Sequence, residues 1–211
     1  MRFDHLSFAA GPEGLRAAAA ELGGLLGAEF TDGGFHPRFG TRNKTLALTN
    51  GQYVEIVEVL DHPAAEKAPF GRLVRERSEQ GGGWLGWVVR TDDLTPFEQR
   101  LGRTAVHGSR HRPDGALLEW RQLGIKGLQN DPQLPFFVQW LSAPELHPAG
   151  NGSDIELVKL EISGDHERVD HWLGGRSEEV LSDLQIEWSA PHGQPGLDAA
   201  VFTTAAGTVR I

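Results

Sequence analysis

Two histidines and a glutamate are the residues of this chain best suited to chemistry: His5 in DHLSFAA, His36 in HPRFGTRN and Glu55 in YVEIVEV. Imidazole and carboxylate groups transfer protons and also bind metal ions. One hypothesis is that Glu55 removes or returns a proton while His5 or His36 orients or polarises a substrate oxygen. Because a partly apolar cavity raises the pKa of a carboxyl group, we expect Glu55 to be tuned toward a general base.

Glu55 lies in a predicted β-hairpin. Asn50-Gly51 separates two runs of alternating apolar and polar residues, the strongest short signal for two antiparallel strands. Alternation along the second strand puts Glu55 on the face of Tyr53 and Val57. Such a carboxylate lies either at a sheet edge in water or in a polar pocket, and this choice decides whether the protein has a site.

Two other polar groups of residues have alternative interpretations. His36, Thr41 and Asn43 precede or begin the hairpin, and they either line the same pocket or form a turn, since Asn and Gly favour turns. A basic patch further along comprises His107, Arg110, His111 and Arg112. This patch either steers an anionic ligand or is an exposed loop, and the loop is the simpler interpretation.

The elements that must position these residues follow a repeated order. Residues 2–10 alternate as a strand with His5 on the face of Phe3 and Ser7, and residues 13–26 have apolar side chains at helical spacing. A short strand and the hairpin complete a βαβββ unit. The same order starts again at Gly83, with strands predicted at 83–89, 105–109, 117–123 and 135–141.

Overlaying the two units pairs residues of the first with residues of the second: His5 with Trp84, Tyr53 with Phe137, and Glu55 with Gln139. The apolar faces agree in this overlay, and a shift of one residue would reverse them. We therefore expect His5, Glu55 and Gln139 to lie together on the face opposite the helices.

The predicted fold class is α+β, in one domain over residues 1–211. Its expected parts are a first βαβββ module (1–62), a connector (63–80), a second module (81–142) and a shortened third βαββ unit (153–211). A segment rich in Pro, Gly and Asn marks the last boundary.

The composition narrows the class of protein. The chain has 211 residues, no cysteine and a formal net charge of −9, so disulfides, thiolate nucleophiles and zinc-thiolate sites are excluded. The acidic balance argues against nucleic acid or an anionic membrane as a partner, because both attract basic surfaces. No stretch approaches the roughly 20 apolar residues of a membrane span, so we expect a soluble cytoplasmic protein.

The βαβββ repeat, DHLSFAA, HPRFGTRN and YVEIVEV resemble the vicinal oxygen chelate superfamily in its glyoxalase-like branch. The likeness covers roughly residues 1–142, and the HPxxGTxN segment is its fairly specific part. It implies mixed and antiparallel sheets that curl around a cavity. It also implies a divalent metal held by one residue from each first and each last strand of the modules.

Carried over position by position, four residues stand at the metal-binding positions: His5, Glu55, Trp84 and Gln139. Trp84 departs from the family pattern, because an indole nitrogen is only a hydrogen-bond donor. The other three suit Mn, Fe, Ni, Zn or Mg, and His36 is a candidate fourth ligand. The alternative is a metal-free pocket in which these side chains and Asn43 hydrogen-bond a ligand or water.

The resemblance leaves two classes of function open. One is an isomerase, lyase or dioxygenase that acts on a small oxygen-containing organic molecule between the modules. The other is a non-catalytic small-molecule binder, as the antibiotic-sequestering members are. Pairing of related folds through sheet edges makes a homodimer a further expectation. The residues expected to contact the ligand are Thr41, Asn43, Tyr53, Trp84, Phe137 and Gln139.

Overall fold

The computed structural model describes residues 1–150 and 152–211. The first repeat comprises β1 (Arg2–Ala9), α1 (Leu15–Leu26), β2 (Thr31–His36), β3 (Thr41–Ala47) and β4 (Tyr53–Val59). Helices α2 (Pro63–Lys67) and α3 (Pro69–Glu79) lead to the second repeat. This comprises β5 (Gly83–Arg90), α4 (Thr95–Leu101), β6 (Val106–His111), β7 (Leu117–Leu123), α5 (Ile125–Asn130) and β8 (Phe136–Trp140).

The C-terminal part comprises β9 (Glu156–Ser163), α6 (His166–Leu173), α7 (Ser177–Val180), β10 (Gln185–Ala190), β11 (Gly196–Thr204) and β12 (Gly207–Arg210). Short 3-10 turns lie at Thr49–Gly51 and Pro144–Leu146. Across the described ranges, no helix combines the length and the apolar content that crossing a membrane requires.

The eight strands of the two repeats close into one barrel, in the order β1-β4-β3-β2-β6-β7-β8-β5. Within each repeat the first and last strands run parallel, β1 with β4 and β5 with β8. The repeats join where β1 pairs antiparallel with β5, and again where β2 meets β6 at Phe35 and His111. The predicted α+β fold with sheets curled around a central space is confirmed.

The predicted hairpin is present as β3 and β4. The two strands pair antiparallel over seven residues, with Glu55 opposite Thr45. Asn50 and Gly51 both have positive φ, 60° and 68°, which their residue types tolerate. The side chain of Glu55 is buried inside the barrel rather than exposed at a sheet edge.

The register predicted for the second repeat is wrong by one residue. His5 pairs with both Tyr53 and Val88, and Val88 pairs with Phe136. The inward-facing residues of β8 are therefore Phe136, Val138 and Trp140. The pairing of β1 with β5 shifts at two places, between Phe3 and His5 and between Ser7 and Phe8. Each shift exchanges the two faces of a strand, and composition does not reveal these shifts.

The C-terminal part forms a separate four-stranded sheet in the order β10-β9-β11-β12. Here β9 pairs in parallel with the next strand, β10, whereas the first strand of each repeat pairs with its fourth. The predicted third unit thus keeps the strand-helix-strand order but pairs differently. This part packs against the outside of the barrel, where Trp172 stacks on Phe137 at a centroid distance of 6.2 Å.

Two apolar clusters hold the chain together. The larger one joins the outer face of the barrel to the helices and the C-terminal sheet, and includes Phe3, Trp87 and Phe137. The second lies inside the barrel and includes Val57 and Trp120. Burial of such side chains is the main stabilising contribution to a domain of this size. The inner cluster also forms the wall of the candidate site.

Candidate functional site

A cavity of about 40 Å³ lies inside the barrel, which is the space of about three water molecules. Six aromatic side chains contribute to its wall: Phe39, Tyr53, Phe70, Trp120, Phe136 and Trp140. Its polar lining consists of His5, His36, Glu55, Arg110 and Gln122. An apolar chamber with a few convergent polar groups is typical of a small-molecule site. Strands β1, β2 and β4 bring His5, His36 and Glu55 together here.

Glu55 is 7% exposed and lies between the two histidines. Its Oε1 accepts a hydrogen bond of 2.6 Å from Asn43 Nδ2, and its Oε2 accepts one of 3.2 Å from Ser7 Oγ. Burial alone would raise the pKa of this carboxyl, but His36, His5 and Arg110 together with the Asn43 bond lower its pKa below the usual value. The expectation of a raised pKa is therefore wrong, because the two histidines, Arg110 and the Asn43 hydrogen bond together outweigh desolvation.

His5 is held by a buried carboxylate. Its Nδ1 donates to Asp4 Oδ2 at 2.8 Å, and its ring stacks on Tyr53 at a centroid distance of 4.3 Å. Burial opposes the charge on Asp4, but hydrogen bonds from His147 and His5 hold the pKa of Asp4 well below its usual range. An ionised Asp4 assigns the proton to His5 Nδ1. The other ring nitrogen, Nε2, lies 3.8 Å from Glu55 Oε2.

His36 approaches the other oxygen of Glu55. Its Nε2 lies 3.8 Å from Glu55 Oε1, and its Nδ1 lies 3.0 Å from Thr41 Oγ1. Burial lowers the pKa of His36 to about 4 against the charge of Glu55, so this imidazole is neutral at pH 7. With the Thr41 hydroxyl donating to Nδ1, the proton of His36 lies on Nε2 and faces the carboxylate.

Asn43 connects Glu55 to a buried arginine. Its Oδ1 accepts a 2.8 Å hydrogen bond from Arg110 Nη1, while its Nδ2 donates to Glu55. Because the oxygen must face the guanidinium and the nitrogen the carboxylate, the amide orientation is fixed by its partners. Arg110 is 4% exposed. The expectation of an exposed loop is therefore wrong: His107, Arg110 and His111 lie on strand β6, where the two histidines are exposed and Arg110 is buried.

Three residues predicted to contact a ligand point away from the cavity. Trp84 donates from Nε1 to the Ile211 carbonyl at 2.9 Å, on the outside of the barrel. Phe137 packs in the outer cluster. Gln139 donates to the Asp92 carbonyl at 2.7 Å and accepts from Arg121. The one-residue register error explains Phe137 and Gln139, and the shifted β1–β5 pairing explains Trp84.

The sequence analysis gave no site role to Trp120 and Trp140, which line the cavity, or to Asp4 and Ser7, which hydrogen-bond His5 and Glu55. Asp4 had no sequence signal, because alternation puts neighbouring strand residues on opposite faces, whereas the β1–β5 pairing is irregular between Phe3 and His5. Ser7 was placed on the face of His5, but no role followed from that. The burial of Arg110 had no sequence signal, since arginine is almost never fully buried unless paired.

The side chains present do not fit the metal set that the resemblance implies. Of the three predicted ligands, His5 and Glu55 face the cavity but Gln139 does not. Within residues 1–150 and 152–211, no three His, Asp or Glu side chains are arranged as a metal-binding group. His36 is the nearest substitute, but the Arg110 guanidinium lies at the same wall. A divalent cation would meet that positive charge.

Known proteins resemble this chain in sequence and in fold. The sequence matches the family described as "Glyoxalase-like domain" over residues 3–176. A hypothetical protein from Staphylococcus aureus has a similar structure, with a TM-score of 0.61, 16% identity and coverage of 100% of this chain and 85% of that one. No curated protein sequence matches the chain.

Two methylmalonyl-CoA epimerases are more distant in structure. The enzyme from Mycobacterium tuberculosis has a TM-score of 0.45 and 16% identity, covering 69% of this chain and 90% of that one. A variant of the Streptomyces coelicolor enzyme, in complex with 2-nitronate-propionyl-CoA, has a TM-score of 0.43 and 17% identity over 68% and 98% of the two chains. At this identity the likeness concerns the fold alone. On the match to residues 3–176, this chain belongs to the glyoxalase-like domain family.

Proposed function

We propose that this protein is an enzyme that removes and returns a proton on a carbon next to a carbonyl group of a small organic molecule. The observation that supports this most strongly is the position of Glu55. It is a buried, ionised carboxylate whose two oxygens each have an imidazole Nε2 at 3.8 Å, and all three groups face one cavity. Proton transfer of this kind is the first step of many isomerase and lyase reactions.

Glu55 is the proton acceptor. A carboxylate oxygen has lone pairs beyond the one that Asn43 or Ser7 uses, so each oxygen can still approach a substrate C–H. When the proton moves to Glu55, the bonding electrons shift onto the substrate carbonyl and produce an enolate oxygen. The proton then returns to the same carbon or to a neighbouring position, so that the enzyme ends in its starting state.

The two histidines have different roles in this reaction: one stabilises the developing negative charge and the other transfers a proton. His36 is neutral and directs Nε2–H toward the cavity, so it can hydrogen-bond the developing enolate oxygen without first losing a proton. His5 is oriented by Asp4 through Nδ1, which leaves Nε2 to exchange a proton with the substrate or with Glu55. Tyr53 and Thr41 position these rings by stacking and hydrogen bonding.

The size of the cavity limits what reaches Glu55. A volume of about 40 Å³ admits only the reacting end of a substrate. The rest can extend past Phe39, Phe70 and Gln122, which also line an outer groove of about 490 Å³. That groove is bounded by Ile125 and Lys126. Any part of a substrate that exceeds the cavity would therefore lie in this groove.

A non-catalytic binder of a flat aromatic molecule is the second candidate, favoured by the six rings around the cavity. Such a molecule would have to occupy the outer groove, because its volume far exceeds the inner cavity. Binding there would not require an ionised carboxylate between two histidines. The two candidates therefore differ in the effect expected from a change at Glu55. In a binder only ligand affinity would change, whereas in an enzyme the reaction rate would fall.

Solvent-proton exchange tests the proposal. The protein is incubated in D2O with a panel of small aldehydes, ketones, 2-oxo acids and thioesters, and loss of the C–H signal is followed by NMR. We expect exchange with at least one member, reduced about 10²–10⁴-fold in Glu55→Gln, the usual contribution of a general base. Glu58→Gln is the matched control, because Glu58 is on the same strand and contacts Arg42 and the Leu15 amide instead. Equal exchange in both variants would contradict the proposal.

A further inference from the structure

Arg110 is the cationic residue of the cavity wall, and the proposed proton transfer gives it no direct contact with the substrate. Its guanidinium is 4% exposed and lines the cavity beside Glu55. Within the described ranges it has no carboxylate at ion-pair distance, and its hydrogen bonding is limited to Nη1 and Asn43 Oδ1. A guanidinium carries five N–H donors, and a buried charge without a paired charge is costly. Most of its donors are therefore free for something else.

Gly33 leaves the space that this guanidinium and its Asn43 partner occupy. A Cβ atom at Gly33 would lie 2.2 Å from Asn43 Oδ1 and 2.4 Å from Arg110 Nη1. Both distances are far below van der Waals contact, so a side chain at position 33 would displace the Arg110–Asn43 pair. Asn43 in turn separates Arg110 from Glu55 by one amide group, so the two charges do not form a direct ion pair.

We propose that Arg110 binds a carboxylate group of the substrate, so that the enzyme acts on small carbonyl compounds that also carry a carboxylate. The planar fork of a guanidinium matches a carboxylate through two parallel hydrogen bonds, which a compact ammonium cannot do. Within the proposed function, on which this inference rests, Arg110 holds the anionic end while Glu55 reaches the adjacent C–H.

The bound anion would also raise the pKa of Glu55. A second negative charge near this carboxylate favours its protonated form, so the substrate makes Glu55 a stronger base than it is in the empty cavity. The positive charge of Arg110 remains near the enolate as it forms. In contrast, a purely structural Arg110 would only offset the charge of Glu55 through Asn43 and would not distinguish charged from neutral ligands.

Pyruvate and pyruvamide test this distinction, because they have the same shape and differ in charge. Their affinities are measured by saturation-transfer NMR and calorimetry on the full-length protein. We expect pyruvate to bind about ten- to hundredfold more tightly than pyruvamide, the range for a hydrogen bond to a charged group. Arg110→Gln should remove this preference and Arg110→Lys should retain part of it. Arg112→Gln is the matched control, since Arg112 pairs with Asp114 at 3.2 Å and is absent from the cavity lining.

A measurement on the unaltered protein covers the case in which Arg110→Gln does not fold. Pyruvate should shift the Arg110 side-chain Nε–H resonance, assigned with Arg110→Lys, and pyruvamide should not. Equal binding of the two probes, binding of neither, or a preference that survives Arg110→Gln would overturn the inference. Glu55→Gln separates this outcome from the proposed function, because it should abolish proton exchange but keep pyruvate binding.

Discussion

Asp4→Asn is the substitution whose effect can be worked out most fully. Three N–H groups reach the carboxylate: His5 Nδ1 at 2.8 Å, His147 Nε2 at 3.1 Å and Trp140 Nε1 at 3.3 Å. A hydrogen bond to a charged group contributes about 1 kcal/mol more than one to a neutral group. Loss of the charge at three bonds therefore costs about 3 kcal/mol of unfolding free energy.

The pH dependence gives a second measure of the same group. The pKa of folded Asp4 lies well below its usual range, whereas in the unfolded chain it is about 3.9. Because the folded pKa is lowered, the stabilising contribution is present above pH about 4 and is lost as pH falls toward the folded value. The wild type should lose stability over that interval, and Asp4→Asn should lose less of it.

Urea unfolding at pH 7 and across the range of pH 2–6 measures both effects, because stability falls linearly with urea concentration and each transition gives a free energy. Asp183→Asn is the matched control, since Asp183 contacts β1 through the Phe3 amide but does not touch His5. We expect it to lose about 1 kcal/mol or less. An Asp4→Asn protein with wild-type stability at pH 7 and wild-type pH dependence would refute the assignment of Asp4 as an ionised anchor of His5.

Three further outcomes follow. The pKa of His36 is about 4 in the folded protein and about 6.5 in the unfolded chain. Its contribution to stability is therefore fully present above pH 6.5 and declines as the pH falls below that value. NMR should find a neutral His36 ring at pH 5, and His36→Asn should remove the decline in stability. Because the donor set does not fit a metal, dialysis against EDTA should leave exchange activity unchanged, and a loss restored by one metal would contradict this. Gln139→Ala should leave activity within about twofold of wild type, because Gln139 contacts Asp92 and Arg121 and not the cavity. The substitution should lower the free energy of unfolding by about 1 kcal/mol. A large loss of activity would show that the corrected register of β8 is wrong.

The sequence carried strong information where structure is local. The Asn50-Gly51 turn predicted the hairpin, and alternation placed Glu55 inward with Tyr53. His36 was also correctly associated with the polar cluster, since Thr41 fixes its ring. These features depend on the pattern of neighbouring residues, which a single sequence displays directly.

Pairing between distant strands was less predictable. The face on which a β8 residue lies depends on the register between β5 and β8, and on two irregularities in the β1–β5 pairing. A shift of one residue in this register places Val138 instead of Gln139 on the cavity face of β8. The overlay preserved the apolar pattern on both faces because β8 is apolar on each side, with Phe136 and Phe137 adjacent.

The charge state of the site also depends on contacts that the sequence does not reveal. Glu55 was expected to have a raised pKa because its strand neighbours are apolar, but Asn43 and Arg110 reverse that effect. Arg110 is 67 residues away from Asn43 along the chain. The hydrogen bond between them exists only because β2 and β6 close the barrel.

The exchange of a substrate C–H proton with solvent, measured together with ligand occupancy on one sample, tests the role of Glu55 most directly. In Glu55→Gln the exchange rate should fall at least about a hundredfold while occupancy changes by only a few-fold. Retention of exchange in Glu55→Gln, or a parallel loss of exchange and occupancy, would contradict the assignment of Glu55 as the proton acceptor.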